Sequence, residues 1–395
     1  MRVLMVSDVY FPRVNGVSTS IETFRRKLDA EGVEVRLVVP RYADEGLQPG
    51  ITRVAGRAVP GDPEDRIVGW RAMHRAVAEA AAGCDLIHVQ TPFVAHYAGL
   101  AAGRKLGLPV LATYHTLFEE YVHHYAPKLP ANWLRTAARA ISRRQCNALD
   151  GVIVPSSAMK ARLTAYGVST PMYVLPTGIP LERFRQGDGA AFRAAHGIPA
   201  ERPVALYVGR VAHEKNIGFL IDALIVARKQ VPELLLLITG EGPASAELKQ
   251  RVTELGLQDA VRFLGYLGRQ QELPGCYKAA DIFLFASRTE TQGLVLLEAM
   301  AAGLPVMALS AMGTIDILAP GKGCITPPDD TAAFGEILAH FFNHPEVWRH
   351  LAAEAIHFAA TWSDQIMAEH LASLYRDCRR ASRTSCPVWA ATAGL

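Results

Sequence analysis

The sequence predicts an α/β protein built as two Rossmann-like halves, and three observations carry that reading. Short runs rich in Val, Leu and Ile, such as Arg2-Val-Leu-Met-Val-Ser7 and Val204-Ala-Leu-Tyr-Val-Gly209, alternate with helical stretches along the chain. Continuous apolar runs of that length are the pattern of a parallel sheet buried on both faces. The alternation occurs twice, on either side of a polar stretch at 186–202 that holds Gly187, Gly189 and Pro199. The 395 residues are enough for two such domains, and half of them are hydrophobic, with a mean hydropathy of +0.12. The expected organisation is an N-terminal domain over 1–185 that also takes a helix at 364–378, a C-terminal domain over 186–363, and a loose tail at 379–395.

The first half opens with a strand to Ser7, and Tyr10-Phe-Pro-Arg-Val-Asn-Gly-Val17 is the loop after it. A helix from about Ser18 to a Gly32 cap follows, then a strand at 34–39. The loop holds one glycine, Gly16, where a dinucleotide fingerprint has three, so the dehydrogenase motif is absent. Asn15-Gly16 instead reads as a tight turn bringing amides to the first helix's start. Asp85-Leu-Ile-His-Val89 and Pro109-Val-Leu-Ala-Thr-Tyr114 are further strands, and the second runs into His115 at its carboxyl end. A lone histidine is commonly a bystander, but this position favours a functional one. Residues 118–148 read as helical and basic, followed by the strand Asp150-Gly-Val-Ile-Val-Pro-Ser156 and a short one at 172–176. In the second half strands are expected at 204–209, 234–239, 261–265, 281–285 and 305–308.

Composition closes several alternatives. No run approaches the roughly 18 apolar residues of a spanning helix. The first residues turn polar too quickly for a signal peptide and are expected to be a strand. Six cysteines, at 84, 146, 276, 324, 378 and 386, include no C-x-x-C pair and read as reduced thiols of a cytosolic protein. A net charge of +3, from 41 basic and 38 acidic residues, gives no reason to invoke nucleic acid.

The informative stretch is Ser287-Arg-Thr-Glu-Thr-Gln-Gly-Leu-Val-Leu-Leu-Glu-Ala-Met-Ala-Ala-Gly-Leu-Pro-Val306. A buried strand breaks at polar residues, and a short helix then runs from Gly293 to a cap at Gly303. Glu290 falls beyond the strand's carboxyl end, where open α/β sheets bind ligands. The helix start offers the amides of Gly293, Leu294 and Val295 to an anion, and Glu298 stands about a turn further on. Two acids around such an anion site point to a sugar nucleotide. The plainer alternative makes Glu290 a helix-start charge and Glu298 an exposed helix residue. Gly209-Arg210-Val-Ala-His-Glu-Lys215-Asn216 places two cations after the first strand of this half, suited to clamping a diphosphate.

These motifs resemble those of family 4 retaining glycosyltransferases: Glu290-x7-Glu298, Arg210…Lys215-Asn216, Asn15-Gly16-Val17 and Gly240-Glu241-Gly242-Pro243, in family order from Met1 to about Arg376. The resemblance implies the GT-B fold, two Rossmann-like domains facing across a cleft with the last helix crossing back to the first. It implies that Arg210 and Lys215 bind the donor diphosphate and Glu298 the ribose hydroxyls. Glu290, with backbone from Gln292 to Leu294 through Gly293, would hold the donor sugar. Gly16 would approach the diphosphate, and His115 the transferred sugar. One departure is Gln292, where many members have Phe, and it leaves the sugar preference open. The form around Glu290 and Tyr114-His-Thr-Leu-Phe-Glu-Glu-Tyr-Val-His123 is most similar to the branches that glucosylate diacylglycerol or mannosylate phosphatidylinositol.

The expected function is therefore transfer of a hexose, with UDP-glucose the preferred donor, to a lipid such as diacylglycerol. The alternative is a GDP-mannose or UDP-sugar enzyme acting on phosphatidylinositol or a soluble acceptor. No cofactor or metal is expected: there is no Asp-x-Asp, and two cations stand in a metal's place. Rivals are a sugar-nucleotide epimerase, a glycogen- or sucrose-type synthase, and a sugar-binding regulator. The basic aromatic stretch at 118–144, with Phe118, Trp133, Arg135, Arg139, Arg143 and Arg144, implies a cytoplasmic enzyme lying peripherally on the membrane's inner face.

Overall fold

A computed structural model of the chain describes residues 1–59, 62–115 and 131–384. It divides into two units. The first is Met1–Gly178 together with the helix Asp364–Thr384, and the second is Ile179–Ser363.

The first unit has an eight-stranded sheet: β1 (Arg2–Val6), β2 (Glu34–Arg41), β3 (Ile51–Val59), β4 (Asp62–Val68), β5 (Leu86–Val89), β6 (Val110–Thr113), β7 (Gly151–Val154) and β8 (Met172–Val174). Their spatial order is β4-β3-β2-β1-β5-β6-β7-β8, parallel throughout except for β3 against β4. Val3, Leu4, Met5 and Val6 of β1 are wholly buried, which is why an unbroken apolar run forms a central strand rather than an edge. The order reverses between β1 and β5, the place where such sheets bind ligands.

The second unit has six parallel strands: β9 (Val204–Val208), β10 (Leu235–Thr239), β11 (Val261–Gly265), β12 (Ile282–Phe285), β13 (Val306–Ala308) and β14 (Cys324–Ile325). Their order is β11-β10-β9-β12-β13-β14, so the reversal falls between β9 and β12, with Ala205 opposite Ile282 and Leu206 opposite Phe283.

Three expectations need correction. The division falls at 178/179 rather than 185/186, because Ile179 and Phe184 are buried in the second unit's core and Ile179 N–H donates to Trp362 O at 3.0 Å. The last helix continues to Thr384 rather than ending near 378, and Arg379 reaches Asp85 at 2.9 Å; residues 385–395 lie outside the described residues. Its buried face of Ala368, Leu371, Ala372 and Tyr375 packs with Ile21, Phe24 and Leu28 of the helix Gly16–Leu28, completing the first core. Finally, β3, β4 and β14 were not expected. Cys84, Cys146, Cys276, Cys324 and Cys378 are free thiols, and burial pushes Cys146 and Cys276 up to about 12.

Candidate active site

The second unit gathers most of the expected site at the carboxyl ends of β9 and β12. After β9 the chain passes Gly209 and Arg210 and makes one 3₁₀ turn, His213–Lys215. Asn216 then adopts left-handed backbone (φ 56°) before the helix Ile217–Ala227, and its Nδ2 donates to Ala286 O, just beyond β12, at 3.3 Å. Ser287 Oγ donates to Glu214 O at 3.3 Å. These two bonds lash the loop after β9 to the loop after β12, and Lys215 Nζ meets Glu290 Oε1 in an ion pair. Both side chains are less than one-fifth exposed, so the pair is shielded from salt more than a surface bridge. Arg210 lies further out and pairs with Glu214. Burial pushes the Glu214 carboxyl up, but hydrogen bonding, including that from Arg210, holds it below its ordinary value.

Glu290 itself is held from behind: its carbonyl accepts from Gly313 N–H at 2.8 Å. Gln292 is buried, and Gly293 then turns left-handed (φ 90°) to open the helix Leu294–Ala301. A side chain at Gly293 would be strained by that backbone and would press on Thr314 Cγ2 at 3.2 Å. The amides of Gly293, Leu294 and Val295 lie at a helix start, where helix geometry supplies no i−4 acceptor. They form a surface suited to an anion.

Glu298 is buried, not the exposed helix residue of the plainer reading. Tyr277 Oη donates to its Oε2 at 2.9 Å, and Arg269 Nη2 stands 3.6 Å from its Oε1. Burial raises its affinity for a proton, while Arg269, Tyr277 and Arg183 oppose that. The Gly240-Glu241-Gly242-Pro243 turn has a clear structural task. Val211 N–H donates to Glu241 O at 3.0 Å, and a Cβ at Gly242 would lie 2.3 Å from Val211 O. The glycines let this turn sit directly against the loop that carries Arg210.

Gly16 and His115 stand in the first unit. Asn15 caps the helix Gly16–Leu28, its Oδ1 accepting from Ser18 N–H at 2.8 Å, and a Cβ at Gly16 would meet nothing within 4 Å. His115 follows β6, with Nε2 2.9 Å from Gln90 Oε1, and burial lowers its pKa to about 4. Sequence reasoning missed several neighbours. Asp8, after β1, accepts from Thr91 Oγ1 at 2.7 Å and Ala95 N–H at 3.0 Å, and burial raises its pKa to about 6. His88, in β5, lies 2.6 Å from Tyr375 Oη and 2.7 Å from Thr113 Oγ1. Tyr277 and Arg269 were missed as well, because neither falls within a contiguous motif.

Two parallel α/β units, the second with paired cations and acids around an open helix start, define the setting of a nucleotide-sugar transferase. The comparisons agree. The family model described as Glycosyltransferase Family 4 matches residues 14–183, and that described as Glycosyl transferases group 1 matches residues 188–358. An alpha-monoglucosyldiacylglycerol synthase of Streptococcus pneumoniae is 34% identical over 315 residues, covering 78% of this chain and 71% of its own length. A protein of the same name from Acholeplasma laidlawii is 27% identical, covering 95% of this chain and 97% of its own length. The GT-B fold is shared with sucrose-phosphate synthase from Thermosynechococcus elongatus, with TM-score 0.76 at 24% identity over 96% of this chain and 99% of that one. The chain belongs to family 4 of the glycosyltransferases and is a hexosyltransferase.

Proposed function

We propose that the enzyme moves glucose from UDP-glucose to diacylglycerol, or a closely similar lipid, with retention at the anomeric carbon. The observation that carries the donor half is the Lys215–Glu290 pair beside the open start of the helix Leu294–Ala301. Lys215, Arg210 and the amides of Gly293 and Leu294 hold the diphosphate, Glu290 the sugar hydroxyls and Glu298 the ribose. Gln292 contributes through the backbone of the same turn. On this reading His115 contacts the transferred sugar and Gly16 the diphosphate. The lipid half is supported by the names of the two relatives above.

In the proposed reaction the C1–O bond to the diphosphate breaks as the acceptor hydroxyl oxygen bonds to C1 on the same face. The hydroxyl proton passes to the departing phosphate oxygen. The protein contributes position and charge stabilisation rather than a covalent intermediate. With two cations on the diphosphate, turnover should survive EDTA.

The same reading makes the enzyme peripheral on the membrane's inner face. Among the described residues no helix is long and apolar enough to cross a membrane. The helix Ala131–Cys146 exposes Trp133 and Ile141 together with Arg135 and Arg144, a composition suited to an interface. Arg139, by contrast, lies over the Tyr166 ring of its own unit at 5.6 Å. The part of the stretch at 116–130 lies outside the described residues. Screening UDP- and GDP-sugars against a lipid extract, with products read by mass spectrometry, tests the proposal. A UDP-glucose-dependent glycolipid is expected; a mannosylated phosphatidylinositol or a water-soluble product would overturn it in favour of the alternative acceptors.

A further inference from the structure

Tyr277 sits on the helix Glu272–Ala279, wholly buried in the second core. Its ring stands edge-on to Phe184 at 5.6 Å and tilted against Phe283 at 6.0 Å. Packing of that kind leaves a tyrosine ring almost no rotamer freedom. Its hydroxyl emerges at one acceptor, Glu298 Oε2, at 2.9 Å. The other carboxylate oxygen faces Arg269 at 3.6 Å, beyond direct hydrogen-bond distance. A carboxylate has about four acceptor positions, so capacity remains for hydroxyl donors after Tyr277 has taken one. A glutamate on a helix has three rotatable side-chain bonds, and Tyr277→Phe would leave this one buried without its short hydrogen bond, facing the more distant Arg269.

We infer that Tyr277 is a positioning residue for the donor's ribose: it fixes the Glu298 carboxylate in the one orientation that accepts two neighbouring sugar hydroxyls. The inference rests on the ribose role proposed for Glu298. The groups facing Glu298 are Tyr277, Arg269 and Arg183, with Cys276 beside Tyr277. Tyr277 alone combines complete burial with a short hydrogen bond. Because it donates to the ionised carboxylate, it lowers that group's proton affinity against the pull of burial.

Calorimetric binding of UDP and 2′,3′-dideoxy-UDP to the full chain tests this, with the GDP pair substituted if the wild type binds only GDP. The wild type should prefer the ribonucleotide, and Glu298→Gln should lose most of that preference. Tyr277→Phe should weaken UDP roughly three- to tenfold, less than loss of a direct bond to a charged group, because Glu298 remains and only its positioning is lost. Its binding of the dideoxy nucleotide should be unchanged within about twofold, and the acid limb of its UDP binding should move to higher pH. Phe184→Leu, which removes a ring packed edge-on against Tyr277 but no hydrogen-bonding group, should lower Tm but keep the ribose preference. Equal weakening of both nucleotides by Tyr277→Phe would make Tyr277 a core residue only. Retained preference in Glu298→Gln would remove the ribose role of Glu298, and with it the positioning role.

Discussion

Lys215 and Glu290 form an ion pair that an arriving donor must share or break, so each has a distinct phenotype. Glu290→Gln leaves one acceptor oxygen where a carboxylate has two. At about 1.5–3 kcal/mol per hydrogen bond to a charged group, turnover should fall roughly ten- to a hundredfold with Tm nearly unchanged. Steady-state kinetics at saturating donor checks this, and a variant with wild-type kcat would remove Glu290 from the site. Lys215→Ala and Arg210→Ala should raise donor KM and lower kcat together, since on the proposed reading the same charges bind the diphosphate and stabilise its departure. A change confined to acceptor KM would contradict the clamp. The acids at 290 and 298 stood out as candidates from their place around a helix start together with the motifs elsewhere in the chain. The direct pairings were not legible: Lys215, itself a candidate, lies 75 positions from Glu290, and Tyr277, which was missed, lies 21 from Glu298.

Loops after the strands show which motif glycines serve the fold and which leave room. At Gly242 a Cβ would come within 2.3 Å of Val211 O, so Gly242→Ala must push the turn off the Arg210 loop. Overpacking of that kind costs about 1–3 kcal/mol, and both Tm and donor affinity should drop. Gly16 is the counterpart: its backbone is not left-handed, and an added Cβ meets nothing within 4 Å. Gly16→Ala should therefore melt like the wild type, while donor affinity measured by calorimetry falls severalfold. Full donor affinity in Gly16→Ala would mean that no ligand approaches there. The same logic explains which elements were legible. Buried strands such as β1 and β12 announce themselves as apolar runs. In β3 most residues are at least partly exposed and include Thr52, Arg53 and Arg57, and β4 begins Asp62-Pro-Glu-Asp, which reads as a turn. β14 is only Cys324–Ile325, recognisable from its pairing with β13 and from nothing local.

Across the chain the titratable groups set a pH dependence with a definite sign. Burial depresses His88 to about 3 and His96 and His115 to about 4. Their stabilising contribution is present above the unfolded value near 6.5 and is lost as pH falls toward 4. Asp8, raised to about 6, acts in the opposite sense: its contribution is present below about 4 and fades as pH rises through 6. Three histidines outweigh one aspartate, so near pH 5 the unfolded chain binds roughly two more protons at these sites. The histidines then make stability climb with pH there. Thermal melts at pH 5 and pH 7 check this; equal Tm values would contradict it. Fold class and family were legible in the whole chain because four motifs fall in order along it. The acceptor was narrowed and not fixed, since the form of the stretch from Tyr114 to His123 is shared by branches that glucosylate diacylglycerol and branches that mannosylate phosphatidylinositol. The most direct test is to incubate the purified chain with UDP-glucose and vesicles containing diacylglycerol, extract into organic solvent, and determine the anomeric configuration of any glycolipid. An extractable α-glucosyl diacylglycerol, absent with Glu290→Gln, is the predicted result. A β-linked product, or glucose transferred only to water-soluble acceptors, would contradict the proposed function.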